Sequence, residues 1–168
     1  MELTKKDRLL LINQYQILST LNPGESAHYL ELIEILEDGY AIFYSLIDAG
    51  ISDDMPESEG RFVLDVLNMY RAIEDFKRKN SREICSEEYY RFFRGFDGNE
   101  ETKYMAFARF LVETQKKFTE QKTYLKENDN LNSHMPTIHK YRAMLSKWRK
   151  FGNTFSLGEV QVIEIVKA

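Results

Sequence analysis

The sequence predicts an all-α protein, a single multihelical domain of about eight helices over residues 1–168, and three observations carry that expectation. Apolar residues recur at steps of three and four along most of the chain. Residues that start and stop helices fall at the ends of those runs. Only 8 glycines and 3 prolines interrupt the 168 residues, too few for a turn-rich β architecture.

Thr4 and Asp7 form a capping pair for a first helix, whose buried face is Leu11, Ile12, Tyr15 and Leu18 and which breaks at Asn22-Pro23-Gly24. Pro23 suits the first turn of a second helix, where its missing amide costs nothing. There Tyr29, Leu30, Ile33 and Leu36 keep the period, and Gly39 suits the left-handed closing position. A third, short helix is expected from Tyr40 to Ala49. Its run Ala41-Ile42-Phe43-Tyr44 has no polar face, which predicts burial on most sides.

Residues 51–60 read as a polar connection. After it, Phe62, Val63, Val66, Leu67, Tyr70, Ile73 and Phe76 define a fourth helix. That helix closes on Lys77-Arg78-Lys79, cations that favour the dipole of a helix C-terminus. A short helix after Ser86 should carry Tyr89, Tyr90, Phe92 and Phe93 into a turn at Gly95.

From Gly95 to Phe118 the signal is strongest. Asp97 to Glu100 reads as a capping box, and Tyr104, Phe107, Ala108, Leu111, Gln115 and Phe118 then share one face, widened by Met105 and Phe110. An aromatic stripe at helical spacing reads as core rather than as a binding groove. Residues 127–130 are a polar loop. Pro136 opens a seventh helix with the face Ile138, Tyr141, Leu145 and Trp148. Ser156 with Glu159 caps a last one carrying Leu157, Val160, Ile163 and Val166, although Val160 to Val166 also alternates as a strand would.

A chain of this mass buries about 70% of its extended surface on folding, so neither a disulfide nor a metal is needed for stability. The one cysteine, Cys85, cannot form an internal disulfide, which points to a reducing, cytoplasmic setting. The short apolar run Leu9 to Ile12 is not a signal peptide, and no run of eighteen apolar residues exists to span a membrane.

Charge is segregated. Residues 24–60 hold ten Asp or Glu and no Lys or Arg, whereas residues 130–158 hold Lys140, Arg142, Lys147, Arg149 and Lys150 and no acid. Such blocks can steer a partner, or pair within one subunit or between two. The basic helix 137–150 could bind phosphate backbones, with Tyr141 or Trp148 stacking on bases. Against that stand an acidic balance, with a pI of about 5.5, and the place of Trp148 on the apolar stripe.

Site chemistry is sparse. His134 and His139 are five apart, which is not one-face spacing, and His28 with Glu31 has no second such pair to complete a carboxylate metal site. A calcium loop read from Asp97 fails at Thr102 and Ala108, where Gly and Glu are required. Phosphate loops, dinucleotide fingerprints and nucleophile elbows are absent from the sequence, so no catalytic, cofactor-binding or metal residue is expected.

MELT with Arg8-Leu9 and Asn13-Gln14-Tyr15, Leu21-Asn22-Pro23, Tyr29, Gly39-Tyr40, Asp65, Met69-Tyr70 and Ala72 form an ordered series of segments. Gly95-Phe96-Asp97, Tyr104, Arg109-Phe110, Phe118, Pro136, Lys140-Tyr141, Met144-Leu145 and Trp148 continue it nearly end to end. Together these segments resemble the YfbU family of bacterial proteins. The resemblance implies a small, soluble, helical cytoplasmic protein and supplies no catalytic residues.

The leading functional expectation is a non-catalytic helical module that self-associates or docks a partner protein. Its candidate interface residues are Phe96, Arg109 and Phe110, together with Lys140, Arg142, Lys147, Arg149 and Lys150. The rival is a nucleic-acid-linked regulator using helix 137–150. Least favoured is a small enzyme in which His28, Tyr40, Asp97 or His139 would have to converge on an inter-helix pocket.

Overall fold

The structure is a computed structural model and describes residues 2–81 and 84–168; Met1, the first residue of the MELT segment, lies outside them. Among the described residues six α-helices carry the fold: α1 (Lys5–Leu21), α2 (Ser26–Asp38), α3 (Glu57–Asn80), α4 (Thr102–Arg109), α5 (Ile138–Lys150) and α6 (Glu159–Lys167). Short 3₁₀ turns and one π-helical turn lie between them. No strand occurs among the described residues, which hold only an isolated bridge between Phe96 and Asn132. The all-α expectation is met, and the helices gather into two compact units, residues 1–54 and 55–168.

In the first unit, Thr4 caps α1 as its spacing to Asp7 predicts. The Asp7 amide donates to the Thr4 hydroxyl at 3.2 Å, and the Thr4 amide donates back to the Asp7 carboxylate at 3.0 Å. Helix α2 runs back along α1, with Tyr15 stacked on Tyr29 at 6.0 Å and the Arg8 guanidinium donating to the carbonyl of Leu36 at 2.9 Å. Gly39 closes α2 at φ 71°, the left-handed geometry foreseen for it. Leu32, Ile35, Leu36 and Tyr44 form a small core, against which Leu11, Ile12 and Tyr15 pack half-buried.

Residues 40–49 depart from expectation. Ala41–Leu46 is a 3₁₀ turn in which only Tyr44 is buried, while Ile42 is 83% exposed and Phe43 and Leu46 face solvent. A 3₁₀ turn eclipses residues three apart, so a six-residue piece offers one narrow edge to its neighbours. Tyr44 takes that edge and the other apolar side chains turn outward.

The second unit is organised on α3, where Val63, Val66, Leu67, Met69, Tyr70, Ala72 and Ile73 have no solvent exposure. Tyr70, Phe93, Phe96 and Tyr141 cluster beside it, with Tyr70 at 5.5 Å from Phe93 and Tyr141 at 5.5 Å from Phe96. The hydroxyl of Tyr141 donates to the carbonyl of Gly95 at 2.9 Å and accepts from the amide of Arg94 at 3.2 Å. At the end of α3, Lys77 does more than complement a dipole: it is buried, pairs with Glu74 at 3.0 Å and donates to the carbonyl of Arg91 at 2.8 Å.

Helix α4 starts four residues later than its capping signal implies. Asp97 makes a local turn, accepting from the amide of Asn99 at 3.1 Å. Glu101, not Glu100, reaches back to the Asp97 amide, at 3.1 Å. Glu101 is drawn inward because its carboxylate also accepts from the backbone amides of Thr137 and Ile138, at 2.8 and 2.9 Å, which are free donors at the start of α5. The helix then passes into a π-helical turn at Phe110–Thr114 and stops before Phe118, which is nonetheless buried.

In α5 the foreseen face holds, with Tyr141, Leu145 and Trp148 buried and Ile138 half-buried. Residues 159–167 are helical rather than extended, and the Gly158 amide donates to Gln161 at 2.8 Å where Ser156 had been expected to cap. The buried stripe of α6 is Val162, Ile165 and Val166, while Val160 is 68% exposed.

Candidate functional site

The basic residues of α5 divide by their surroundings. Arg149 pairs with Asp65 at 3.0 Å, Lys147 lies 3.6 Å from Glu164, and Lys140 donates to the carbonyl of Ala168 at 3.1 Å. Arg142 stands over the ring of Phe62 at 5.9 Å. Among the described residues, neither Arg142 nor Lys150 has a carboxylate within ion-pair distance.

A groove of about 760 Å³ lies between α3, α4 and α5, with Arg61, Arg142 and Arg149 on its rim and Phe62 and Tyr104 in its wall. Its carboxylates are spoken for. Glu59 pairs with Lys103 at 2.6 Å, and the same hydrogen-bonded contact lowers the carboxyl pKa of Glu59 and raises that of the Lys103 ammonium.

The remaining candidates are scattered in environment. The Phe96 expectation is corrected: its side chain has no exposure and sits among Phe62, Phe93, Tyr104 and Tyr141, so it is a core residue. The turn at Gly95, φ 86°, aims it inward, and the Phe96 amide is held to the carbonyl of Leu131 at 3.1 Å. Arg109 donates to the carbonyl of Asn130 at 2.7 Å, fastening the loop before α5. Phe110 is 42% exposed and stacks on Phe107, which borders a separate apolar groove with Met55, Pro56 and Leu64.

His28 is exposed beside Tyr29, His139 is exposed on α5, and Asp97 is buried in its own turn. Among the described residues no group of three His, Cys, Asp or Glu side chains is placed to hold a metal ion. Burial pushes the thiol of Cys85 up, which keeps it protonated and poorly nucleophilic. Burial likewise raises the phenols of Tyr70 and Tyr141 well above their usual value, so both remain neutral hydrogen-bond partners.

What the sequence reading missed lies on α1. No residue of that helix is buried, and Leu10, Ile17 and Leu21 are 53%, 60% and 69% exposed on the side away from α2. A signal was available. Residues 9–24 contain no Asp, Glu, Lys or Arg in a chain of which such residues are 30%. An outer helix face that needed only solvation would carry charge.

An all-helical architecture without a metal-ligating cluster among the described residues, and with exposed apolar helix surface, is the class of protein these features define. The chain belongs to the YfbU family, whose domain model matches residues 1–168. It is similar to UPF0304 protein MJECS11 of Methanocaldococcus jannaschii, 48% identical over 170 aligned positions that cover 99% of each chain. That relative is archaeal, so the similarity reaches beyond the bacterial setting expected from the resemblance. Among the described residues, no helix is long and apolar enough to cross a membrane.

Proposed function

We propose that this protein is a non-catalytic helical module that self-associates through its first 54 residues, in the reducing, cytoplasmic setting that a single cysteine suits. One observation carries the reading. Of the fifteen large apolar side chains exposed among the described residues, ten lie in residues 1–54: Leu9, Leu10, Ile17, Leu21, Leu30, Tyr40, Ile42, Phe43, Leu46 and Ile51. Isolated exposed apolar residues are ordinary, but this concentration in a third of the chain marks a surface that another protein surface covers.

Nucleic-acid binding by α5 has less support, because Lys147 and Arg149 are engaged with carboxylates and Arg142 and Lys150 alone would meet phosphate freely. Light scattering of the full chain across a wide concentration range tests the main reading. An oligomer whose mass is insensitive to added salt supports it, and a strict monomer at every concentration sinks it. A gel shift with single- and double-stranded DNA and RNA at low salt tests the second, which a complete absence of retardation eliminates.

A further inference from the structure

Three unfavourable features fall close together in residues 110–121. The chain leaves the regular course of α4 in the π-helical turn Phe110–Thr114, a form that helices adopt rarely. Lys116 and Phe118 then take φ 53° and 29°, the left-handed region that side chains enter at a cost, a bulky ring most of all. Gln121 is fully buried with both polar atoms of its side chain lacking a partner among the described residues. Conformations of this kind persist only where their surroundings hold them.

Side chains of α3 do the holding. Arg71 donates through Nε and Nη2 to the two carboxylate oxygens of Glu120, at 2.7 and 3.2 Å, and its guanidinium lies 4.2 Å from the centre of the buried Phe118 ring. Tyr124 donates from its hydroxyl to Glu74 at 2.8 Å and lies parallel on Phe92, with the ring centres 4.4 Å apart. Amides of the segment bond locally, Lys117 to the carbonyl of Leu111 at 2.9 Å and Gln121 to that of Phe118 at 3.0 Å. Buried anchors bound it. Val112 stands on one side and Asn128 on the other, where the Asn128 side-chain amide donates to the carbonyl of Phe93 at 2.9 Å.

We propose that residues 115–125 form a strap that opens as one unit while α3 stays folded, with the pair of Arg71 and Glu120 as its latch. Opening lets Lys116 and Phe118 relax to ordinary backbone angles and gives the side-chain amide of Gln121 access to water. It also gives up the burial of Phe118 and the bonds to Arg71 and Glu74, so the latch sets the balance between the two states. The surface released is the face of Phe92 that Tyr124 covers. That ring also carries the Arg94 guanidinium, 3.8 Å from its centre, so the closed strap withholds an aromatic surface beside a cation. The inference stands apart from the self-association reading.

Thiol labelling of the full chain tests this. In a Cys85→Ser background, Gln121→Cys places a probe in the strap and Ala72→Cys places one on α3, both at positions without solvent exposure. The thiol at position 121 should react roughly tenfold faster or more in the absence of urea, at a rate that low urea barely changes, because local opening exposes little surface. At position 72 the rate should climb steeply with urea. Adding Arg71→Met should speed labelling at position 121 by roughly tenfold. Equal rates with equal urea dependence at the two positions, or no acceleration by Arg71→Met, would overturn the proposal. Hydrogen exchange on the unaltered chain decides the matter should a variant misfold. The amide of Gln121 should exchange at a rate insensitive to low urea while that of Ile73 responds steeply, and the same steep response at both would overturn it.

Discussion

Glu101 holds Thr137 by two bonds at once: its carboxylate accepts the backbone amide of Thr137 at 2.8 Å and the hydroxyl of the same residue at 2.8 Å. Donations from Ile138 and Asp97 complete the set, so one buried side chain ties the Gly95 turn to the start of α5. No helix-capping motif written within a single segment does this, because Thr137 and Ile138 lie 36 and 37 residues from Glu101.

Removing that carboxylate should be costly. Glu101→Ala leaves several buried amides without an acceptor and is expected to lower unfolding stability by about 3 kcal/mol or more. Thr137→Val deletes only the hydroxyl donor, and a loss of about 1 kcal/mol is expected. Urea unfolding of the two variants beside the unaltered chain measures both, and equal losses would show that Glu101 is not the hub.

Two left-handed glycines offer a contrast in steric surroundings. A Cβ at Gly95 would collide with the carbonyl oxygen of Leu131, whereas at Gly152, also at positive φ, it would meet nothing within 4 Å. Gly152→Ala should therefore cost only the backbone strain, roughly 1–2 kcal/mol. Gly95→Ala must also displace the Leu131 carbonyl, which accepts the Phe96 amide, and is expected to prevent folding or to cost well beyond that, read from thermal melts of both variants.

Gln121 is fully buried, and neither polar atom of its side chain has a hydrogen-bond partner among the described residues. A desolvated amide without partners is unfavourable, so Gln121→Met, similar in length and apolar, should raise stability by about 1 kcal/mol. A fall in the urea midpoint would mean that a bound water satisfies the amide.

Alkaline stability should be governed by the aromatic cluster. Burial raises the phenols of Tyr70 and Tyr141 well above the model-compound value of 10.0. Below pH 10 both states keep these protons and the stabilisation is fully present. Above it the unfolded chain releases them first, so stability falls as pH rises toward the folded-state values. Tyr141→Phe and Tyr70→Phe should each flatten that decline, measured as the urea midpoint between neutral pH and pH 11.

Much of the helical order is legible in the chain itself. Thr4 with Asp7 starts α1, Gly39 ends α2, and the stripe from Phe62 to Phe76 lies on the buried side of α3, because these signals act within one or two turns. The candidate site was less legible. Phe96, off the apolar stripe, reads as a surface contact yet is buried, and α1 shows one periodic apolar face yet carries a second. Periodicity reports that a stripe exists. It does not report how many neighbouring elements are present to cover it.

The sequence alone determined that the protein is helical, that α1 begins at the Thr4 cap and α2 ends at Gly39, that acid and base fall in separate blocks, and that no familiar catalytic or metal motif is written in it. Tertiary structure decided which apolar residues are spent on a core. It turned Ile42 and Phe43 outward on a short 3₁₀ turn, moved the start of α4 by engaging Glu101 with α5, and left Leu10, Ile17 and Leu21 uncovered. The physical reason is the same in each case. Caps and turns depend on bonds between residues close in the chain, whereas burial depends on distant elements that compete for the same apolar surface and the same free amides.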